Sequence, residues 1–244
     1  MSKPPRFFIS PEQVLGDRIT ITGEDLRHIT TVLRKRTGDE LLLSDGQGRE
    51  YAVKIIEAHK AEIVTRIEAR STQSIRAPRI ILGQGLPKSD KMDWIVQKAT
   101  ELGVSTIVPL VTERTIVKIR DEEKRTARWQ KIAREAAMQS RRPDIPVVGP
   151  VEPFALFLRN LVPGPRTLLL FPWEDGTEPV KTVLLGEDVV ATVIVLIGPE
   201  GGFSESEAAQ ARGKGFRLVS LGPNILRTET AAIAVLGMIQ YQYF

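Results

Sequence analysis

The chain contains no cysteine. That excludes disulfides, iron–sulfur clusters and thiolate zinc sites, and with histidine reduced to His28 and His59 there is little imidazole for a transition metal. No metal is expected. No apolar run approaches the roughly 20 residues a membrane-spanning helix requires, and Met1-Ser2-Lys3-Pro4-Pro5 is followed by no apolar leader core. Cytoplasmic residence, with no membrane partner, is the expectation. Internal repeats and low-complexity tracts are also missing. What remains is 244 residues, 42% hydrophobic and 26% charged, enough for one large or two small cores. The net charge of +4 is unevenly spread, at +1 for residues 1–74, +6 for 75–150 and −3 for 151–244. A basic middle suits an anionic polymer such as RNA, and equally an ordinary solvated helix surface.

Arg6-Phe7-Phe8-Ile9 and Arg18–Ile21 have the look of short strands, and Thr22-Gly23-Glu24-Asp25 opens a helix predicted to run to about Arg34, with Leu26, Ile29 and Leu33 on one face. Between Asp39 and Ala69 the pattern is β. Leu41–Leu43, Glu50–Ile56 and Ala61–Ile67 form a three-strand meander with turn residues in the gaps. Ser71-Thr72-Gln73-Ser74 is a polar linker, and a domain boundary is expected near 74, giving 1–74 and 75–244. After it, strands and helices alternate. Arg79–Leu82 is a strand leading through Gly83-Gln84-Gly85-Leu86-Pro87 to a helix begun at Ser89, with Met92, Ile95, Val96, Ala99 and Leu102 at helical spacing and Gly103 as its stop. Strand Thr106–Val111, a charged helix over about Asp121–Ser140, a short helix after Glu152 and strand Thr167–Phe171 follow. The fold class is α/β, a parallel sheet covered on both faces, behind a small mostly β domain.

Two strand exits close the chain. Val193-Ile194-Val195-Leu196-Ile197 is an unbroken apolar run that stops at Gly198-Pro199-Glu200-Gly201-Gly202, and Ser204-Glu205-Ser206-Glu207 then caps a helix. Phe216–Leu221 is a second strand, broken by Gly222-Pro223 before Asn224-Ile225-Leu226-Arg227-Thr228-Glu229-Thr230 leads into an apolar helix. Ligands of open parallel sheets lie beyond the carboxyl ends of the strands, where both loops belong. The first loop lacks the lysine of a phosphate loop and is not the dinucleotide fingerprint; it offers bare peptide groups, and is also compatible with a plain tight turn. Arg227, between Ile225-Leu226 and a buried helix, is expected to be half desolvated, where a guanidinium holds a carbonyl or anion strongly.

Together Leu196–Ser204 and Leu221–Ala231, with Lys91–Val104 and Glu135–Arg142, resemble the bacterial 16S ribosomal RNA uridine-N3 methyltransferases of the SPOUT class; Arg6-Phe7-Phe8 and His28–Gly38 fit the same family, so the likeness spans nearly the whole chain. The resemblance implies a PUA-like RNA-binding domain over 1–74 and a trefoil-knotted methyltransferase domain over 75–244. It implies S-adenosylmethionine held by Leu170, Phe171, Ile197, Gly198, Pro199, Glu200, Gly201, Gly202, Leu221, Gly222, Asn224, Ile225, Leu226, Arg227, Thr230 and Ala231. It also implies a homodimer packed across the knot, and 16S ribosomal RNA, within the small subunit's decoding region, as substrate. Arg227, Glu200 and Glu229 are the candidates for chemistry, the arginine for uracil or the cofactor carboxylate and a glutamate as base or sulfonium neighbour. Arg6, Arg27, Arg34, Lys35, Arg36, Lys88, Lys91, Arg114, Arg141 and Arg142 are candidates for phosphate contact, each with the alternative of an ordinary solvated charge. His28 is a base-stacking candidate or a locally packed ring, and Trp94 and Trp129 are candidate core or dimer anchors. Two rival activities share these features: ribose 2′-O methylation by the same fold, and a non-catalytic RNA-binding assembly factor.

Overall fold

A computed structural model describes residues 4–72, 78–117, 121–187 and 189–244. They fall into two units, one of residues 4–72 with 137–145, the other of 78–136 with 146–244. The return of Ala137–Ile145 to the first unit has no counterpart in the sequence reading. Hydrogen bonds hold the irregular end of that stretch: Ser44 Oγ donates to Pro143 O at 2.7 Å, Arg6 Nη1 to Arg142 O at 2.8 Å and Ile145 N to Gly46 O at 3.2 Å. Of the linker, Ser71 and Thr72 are still strand, while Gln73 and Ser74 lie outside the described residues.

The first unit contains β1 (Arg6–Phe8), β2 (Val14–Leu15), β3 (Arg18–Ile21), α1 (Gly23–Arg27), β4 (Glu40–Ser44), β5 (Arg49–Ala58) and β6 (Ile63–Thr72). Its six-stranded sheet runs β1-β4-β5-β6-β3-β2, antiparallel except for β1 on β4. Period-2 alternation places Leu41 and Leu43, Val53 and Ile55, Ile19 and Ile21 in one core with Phe7, Leu26 and Ile29. The helix expected to reach Arg34 instead stops being α at Arg27 and continues as one π-helical turn, His28–Val32. Thr30 Oγ1 donates back to Leu26 O at 2.8 Å and Leu33 N bonds to His28 O, so the ladder widens and Leu33 turns outward.

The second unit contains β7 (Arg79–Gly85), α2 (Lys91–Glu101), β8 (Thr106–Val111), α3 (Glu122–Gln139, whose last residues belong to the first unit), β9 (Val147–Val148) and β10 (Glu152–Pro153). It continues with α4 (Phe154–Asn160), β11 (Thr167–Pro172), β12 (Glu178–Pro179), α5 (Val180–Leu185), β13 (Thr192–Ile197), α6 (Glu205–Gly213), β14 (Arg217–Ser220) and α7 (Thr228–Tyr243). The sheet order is β10-β8-β7-β13-β11-β14-β12 with β9 on β8, and each pairing is parallel. The central strands are apolar on both faces. Val193, Val195 and Ile197 point into one core with Met92, Ile95, Val235 and Ile239 from α2 and α7, while Ile194 and Leu196 point into another with Phe157, Ala208 and Ala211 from α4 and α6.

Gly83 and Gly85, expected in a loop, are strand residues of β7. Packing demands them: a Cβ on Gly83 would lie 2.3 Å from Leu196 Cδ2, and one on Gly85 2.6 Å from Pro199 Cδ. Among the described residues no helix is long and apolar enough to cross a membrane.

Candidate active site

Three neighbouring strands, β13, β11 and β14, end on the same edge of the sheet because they are parallel. Their exit loops converge on one cleft of about 390 Å³.

The loop after β13 closes on itself: Gly202 N donates to Pro199 O at 2.9 Å, Gly202 has φ +67°, and a Cβ on Gly198 would sit 2.9 Å from Gly202 C. Only glycine permits that approach, and it leaves peptide groups facing the cleft. Phe203 is buried against Phe171 at a ring separation of 4.4 Å. Behind it the expected capping box is present, with Ser204 Oγ accepting from Glu207 N and Glu207 Oε2 accepting from Ser204 N. Glu207 is itself buried and its other oxygen accepts from Glu113 N at 2.9 Å, which holds the turn after β8 in place. From that turn Arg114 Nη1 donates to Gly201 O at 2.8 Å.

The loop after β14 exposes Pro223, Asn224 and Ile225, the last 84% exposed although apolar. Its return into the molecule is anchored by a buried polar chain: Gln84 Nε2 donates to Thr228 Oγ1 at 2.9 Å, and Thr228 Oγ1 donates to Gly198 O at 2.5 Å. Thr228 is thus more than a helix opener, since it ties the start of α7 to the loop after β13. Gln84, which sequence reasoning left in a loop, is the buried residue that makes this possible.

The third wall is Pro172, the last residue of β11, with Trp173 and Glu174 after it, and it had no signal in the sequence beyond the strand's end. Leu170 and Phe171, expected at the cofactor, do not line the cleft. Both are fully buried, Leu170 in the α2/α7 core and Phe171 in the α4/α6 core, because they lie within β11 rather than past its end. Thr230 also lies off the cleft and is exposed on α7. Ile197, Gly198, Pro199, Glu200, Gly201, Gly202, Leu221, Gly222, Asn224, Ile225, Leu226, Arg227 and Ala231 line it, joined by Phe203, Ser220, Pro223 and Thr228.

Arg227 is exposed at the cleft, not half desolvated, and its guanidinium has no hydrogen bond or ion pair with a described residue. The two candidate carboxylates are engaged. Lys91 Nζ lies 2.9 Å from Glu200 Oε1 and 3.3 Å from Glu229 Oε2, and Lys88 N donates to both Glu200 oxygens at 3.1 and 3.2 Å. Burial pushes the Glu200 carboxyl up, but the Lys91 hydrogen bond and the backbone N–H donors outweigh it, and the net shift is downward. The Glu200 hydrogen bond in turn raises Lys91 against its desolvation. Glu229 does not line the cleft.

Of the cationic candidates, Lys91 is therefore neutralised. Arg6 is partly buried and paired with Glu50 at 2.5 Å, and Arg142 pairs with Asp144 at 2.5 Å. Arg27, Arg34, Arg36, Lys88, Arg114 and Arg141 are exposed, Lys35 partly so. His28 stands edge-on to Phe7 with ring centres 5.6 Å apart. Trp129 is a core residue whose Nε1 donates to Asp93 Oδ1 at 3.1 Å, while Trp94 is 44% exposed.

The profile of an RNA methyltransferase domain matches residues 75–240, and that of an RNA methyltransferase PUA domain matches 21–68. Over 229 residues the chain is 31% identical to the ribosomal RNA small subunit methyltransferase E of Bacillus subtilis, spanning 91% of this chain and 90% of that one. The chain belongs to this methyltransferase family. The Synechocystis member is 34% identical over 236 residues, 96% of this chain and 76% of its own. The structure of the Neisseria gonorrhoeae enzyme bound to S-adenosyl methionine superposes with a TM-score of 0.85 at 31% identity, covering 99% of this chain and 98% of that one. A putative methyltransferase from Legionella pneumophila, also in complex with that cofactor, gives 0.85 at 31% identity over 98% of each chain. The methyltransferase's small unit accordingly carries its PUA domain, and the parallel sheet belongs to its RNA methyltransferase domain.

Proposed function

We propose that the cleft holds S-adenosylmethionine and that the enzyme methylates N3 of a uridine in 16S ribosomal RNA, in the decoding region of the small subunit. The convergence of three strand exits on one cleft carries this reading. The residues present fit such a group. Trp173, Ile197, Leu221, Leu226 and Ala231 give apolar walls, and the backbone of Gly198–Gly202 and Leu221–Leu226 lines the cleft where the edge of a flat heterocycle would lie. Bound there, the cofactor supplies an electrophilic methyl group on a sulfonium cation.

The chain's own part is placement. Arg227, at the cleft and unpaired, orients the uracil carbonyls or the cofactor carboxylate. Because an anion approaching a cation loses charge on the way to the transition state, a partly dry cleft favours the step. Glu200, held anionic by Lys91, is a poor acceptor for the N3 proton, and Glu229 is tied to the same ammonium. Glu174 remains as the carboxylate on the cleft wall that has no cation partner among the described residues. Exposed Arg27, Arg34 and Arg36 supply phosphate contact from the PUA domain, which serves as the RNA grip.

A second copy is the proposed occupant of an apolar groove of about 600 Å³ between α5 and α7, where Leu184, Leu185, Met238 and Tyr241 meet Leu221 and Gly222 of the cleft loop. Sedimentation should show a dimer; a monomer at micromolar concentration would count against it. The trefoil threading belongs to the same reading, as does work in the cytoplasm. Two assays separate it from a non-catalytic factor, and mass analysis of nuclease-digested RNA separates it from a ribose methyltransferase with the same fold. Calorimetry should show S-adenosylmethionine binding, and Arg227→Ala should lower transfer to small-subunit RNA by more than tenfold, about 1.4 kcal/mol. Transfer within tenfold of wild type would remove Arg227 from the site.

A further inference from the structure

The two carboxylates expected to do chemistry have a different geometry from that of a base. Glu200 stands on the loop after β13 and Glu229 in the first turn of α7, and both reach one ammonium, that of Lys91. Lys91 is the first residue of α2, whose Met92, Ile95, Val96 and Ala99 are locked in the core, so it stands on a rigid post. The loop is further fastened to the approach to α2 by the two bonds from Lys88 N. Glu229 Oε2 is shut off from solvent, so removing its cation would leave a buried charge without a counter-ion. Glu200 and Glu229 would then repel across the gap that Lys91 now fills.

We propose that Lys91 is a positioning residue that clasps the loop after β13 to the start of α7, and so fixes the separation of the cleft walls those two segments build. It is not among the residues that line the cleft. The inner tie, Thr228 Oγ1 to Gly198 O, fixes the same two segments at one point; the ion triad fixes them at a second, which stops rotation about the first. The inference rests on the reading of the cleft as the S-adenosylmethionine site.

Titration calorimetry of the full chain with S-adenosylmethionine tests it, with thermal melting to establish that each variant is folded. Lys91→Met should raise Kd by tenfold or more, and Lys91→Arg, which keeps both ion pairs, should return it to within about threefold of wild type. Glu229→Gln should weaken binding by about threefold in the wild-type background but improve it in the Lys91→Met background, because there it relieves repulsion. A merely structural lysine would not give that change of sign. Folded Lys91→Met with wild-type Kd overturns the clasp, as does the same result accompanied by weaker RNA binding, which would make Lys91 a phosphate contact. If Lys91→Met does not fold, an unchanged Kd in Glu229→Gln alone overturns it. A wild-type protein that fails to bind S-adenosylmethionine overturns the reading of the cleft, and the clasp with it; wild-type binding with an unchanged variant overturns the clasp alone.

Discussion

Gly85→Ala separates two physical effects of opposite sign. Gly85 ends β7 and its φ is not in the left-handed region, so alanine is allowed there, and strand propensity alone would stabilise the protein by about 0.5–1 kcal/mol. Space forbids it. The new Cβ would lie 2.6 Å from Pro199 Cδ, 2.7 Å from Pro199 N and 3.0 Å from Gly198 C, whereas ordinary contact begins at 3.4 Å. Two of those atoms are backbone, and Pro199 has no flexible side chain to swing aside. The loop after β13 must therefore recede by about 0.8 Å, the shortfall between 2.6 and 3.4 Å. Overpacking of this kind costs about 1–3 kcal/mol, which exceeds the propensity gain. A shift approaching 1 Å at a site that positions reactants costs up to about a hundredfold in rate. We expect Gly85→Ala to lower urea-unfolding stability by about 1 kcal/mol, weaken S-adenosylmethionine binding at least tenfold by calorimetry and reduce methyl transfer by more. Gly213→Ala, whose Cβ would meet open space, should leave binding unchanged. Gly85→Ala that is as stable as wild type or more so, and binds the cofactor within twofold, would refute the claim that β7 sets the position of the loop.

Thr228→Val keeps the shape but removes the hydroxyl between Gln84 Nε2 and Gly198 O; chemical denaturation should show a loss of about 1–3 kcal/mol, and a neutral result would mean the buried chain is not what fixes α7. The Lys91–Glu200 pair has a defined pH window. Glu200 is lowered from 4.5, so its contribution is present above that pH and fades as pH falls through the depressed value; Lys91 is raised from 10.5, so its contribution is present below that pH and fades as pH rises through the elevated value. The difference in melting temperature between wild type and Lys91→Met should therefore be flat through neutrality and shrink as pH falls below 4.5; a difference that grows in acid would reverse the sign. Arg6→Ala removes one partner of buried Glu50 and should cost about 1–3 kcal/mol in urea unfolding while leaving the salt dependence of RNA binding unchanged. A smaller salt slope would restore Arg6 as a phosphate contact.

The loops after β13 and β14 were legible because each combines a buried apolar run with an abrupt glycine and a helix start, all local signals. The third wall was not. That Trp173 and Glu174 join them follows from β11 lying between β13 and β14, and strand order leaves no mark on a sequence. The same holds for Gly83 and Gly85, glycine because of Leu196 and the Pro199 loop, far along the chain, and so mistaken for a turn. Charged residues were the least legible. Lys91, Arg6 and Arg142 read as phosphate contacts because their carboxylate partners are not visible in a local window, except for Asp144 beside Arg142. Arg227 was expected to be half desolvated because its neighbours in sequence are apolar, yet Ile225 itself faces solvent on the exposed arm of the loop. The π-helical turn at His28–Val32 and the short α5 lack a hydrophobic period long enough to announce them.

The proposed transfer of a methyl group from this cleft to a uracil nitrogen of small-subunit ribosomal RNA is tested most directly by its product. Small subunits lacking the modification, incubated with the purified protein and isotopically labelled S-adenosylmethionine, can be digested to nucleosides and resolved by mass. The expected result is label in 3-methyluridine from 16S RNA, lost in Arg227→Ala; label in a ribose-methylated nucleoside, or no label with folded, cofactor-binding protein, would contradict the proposed function.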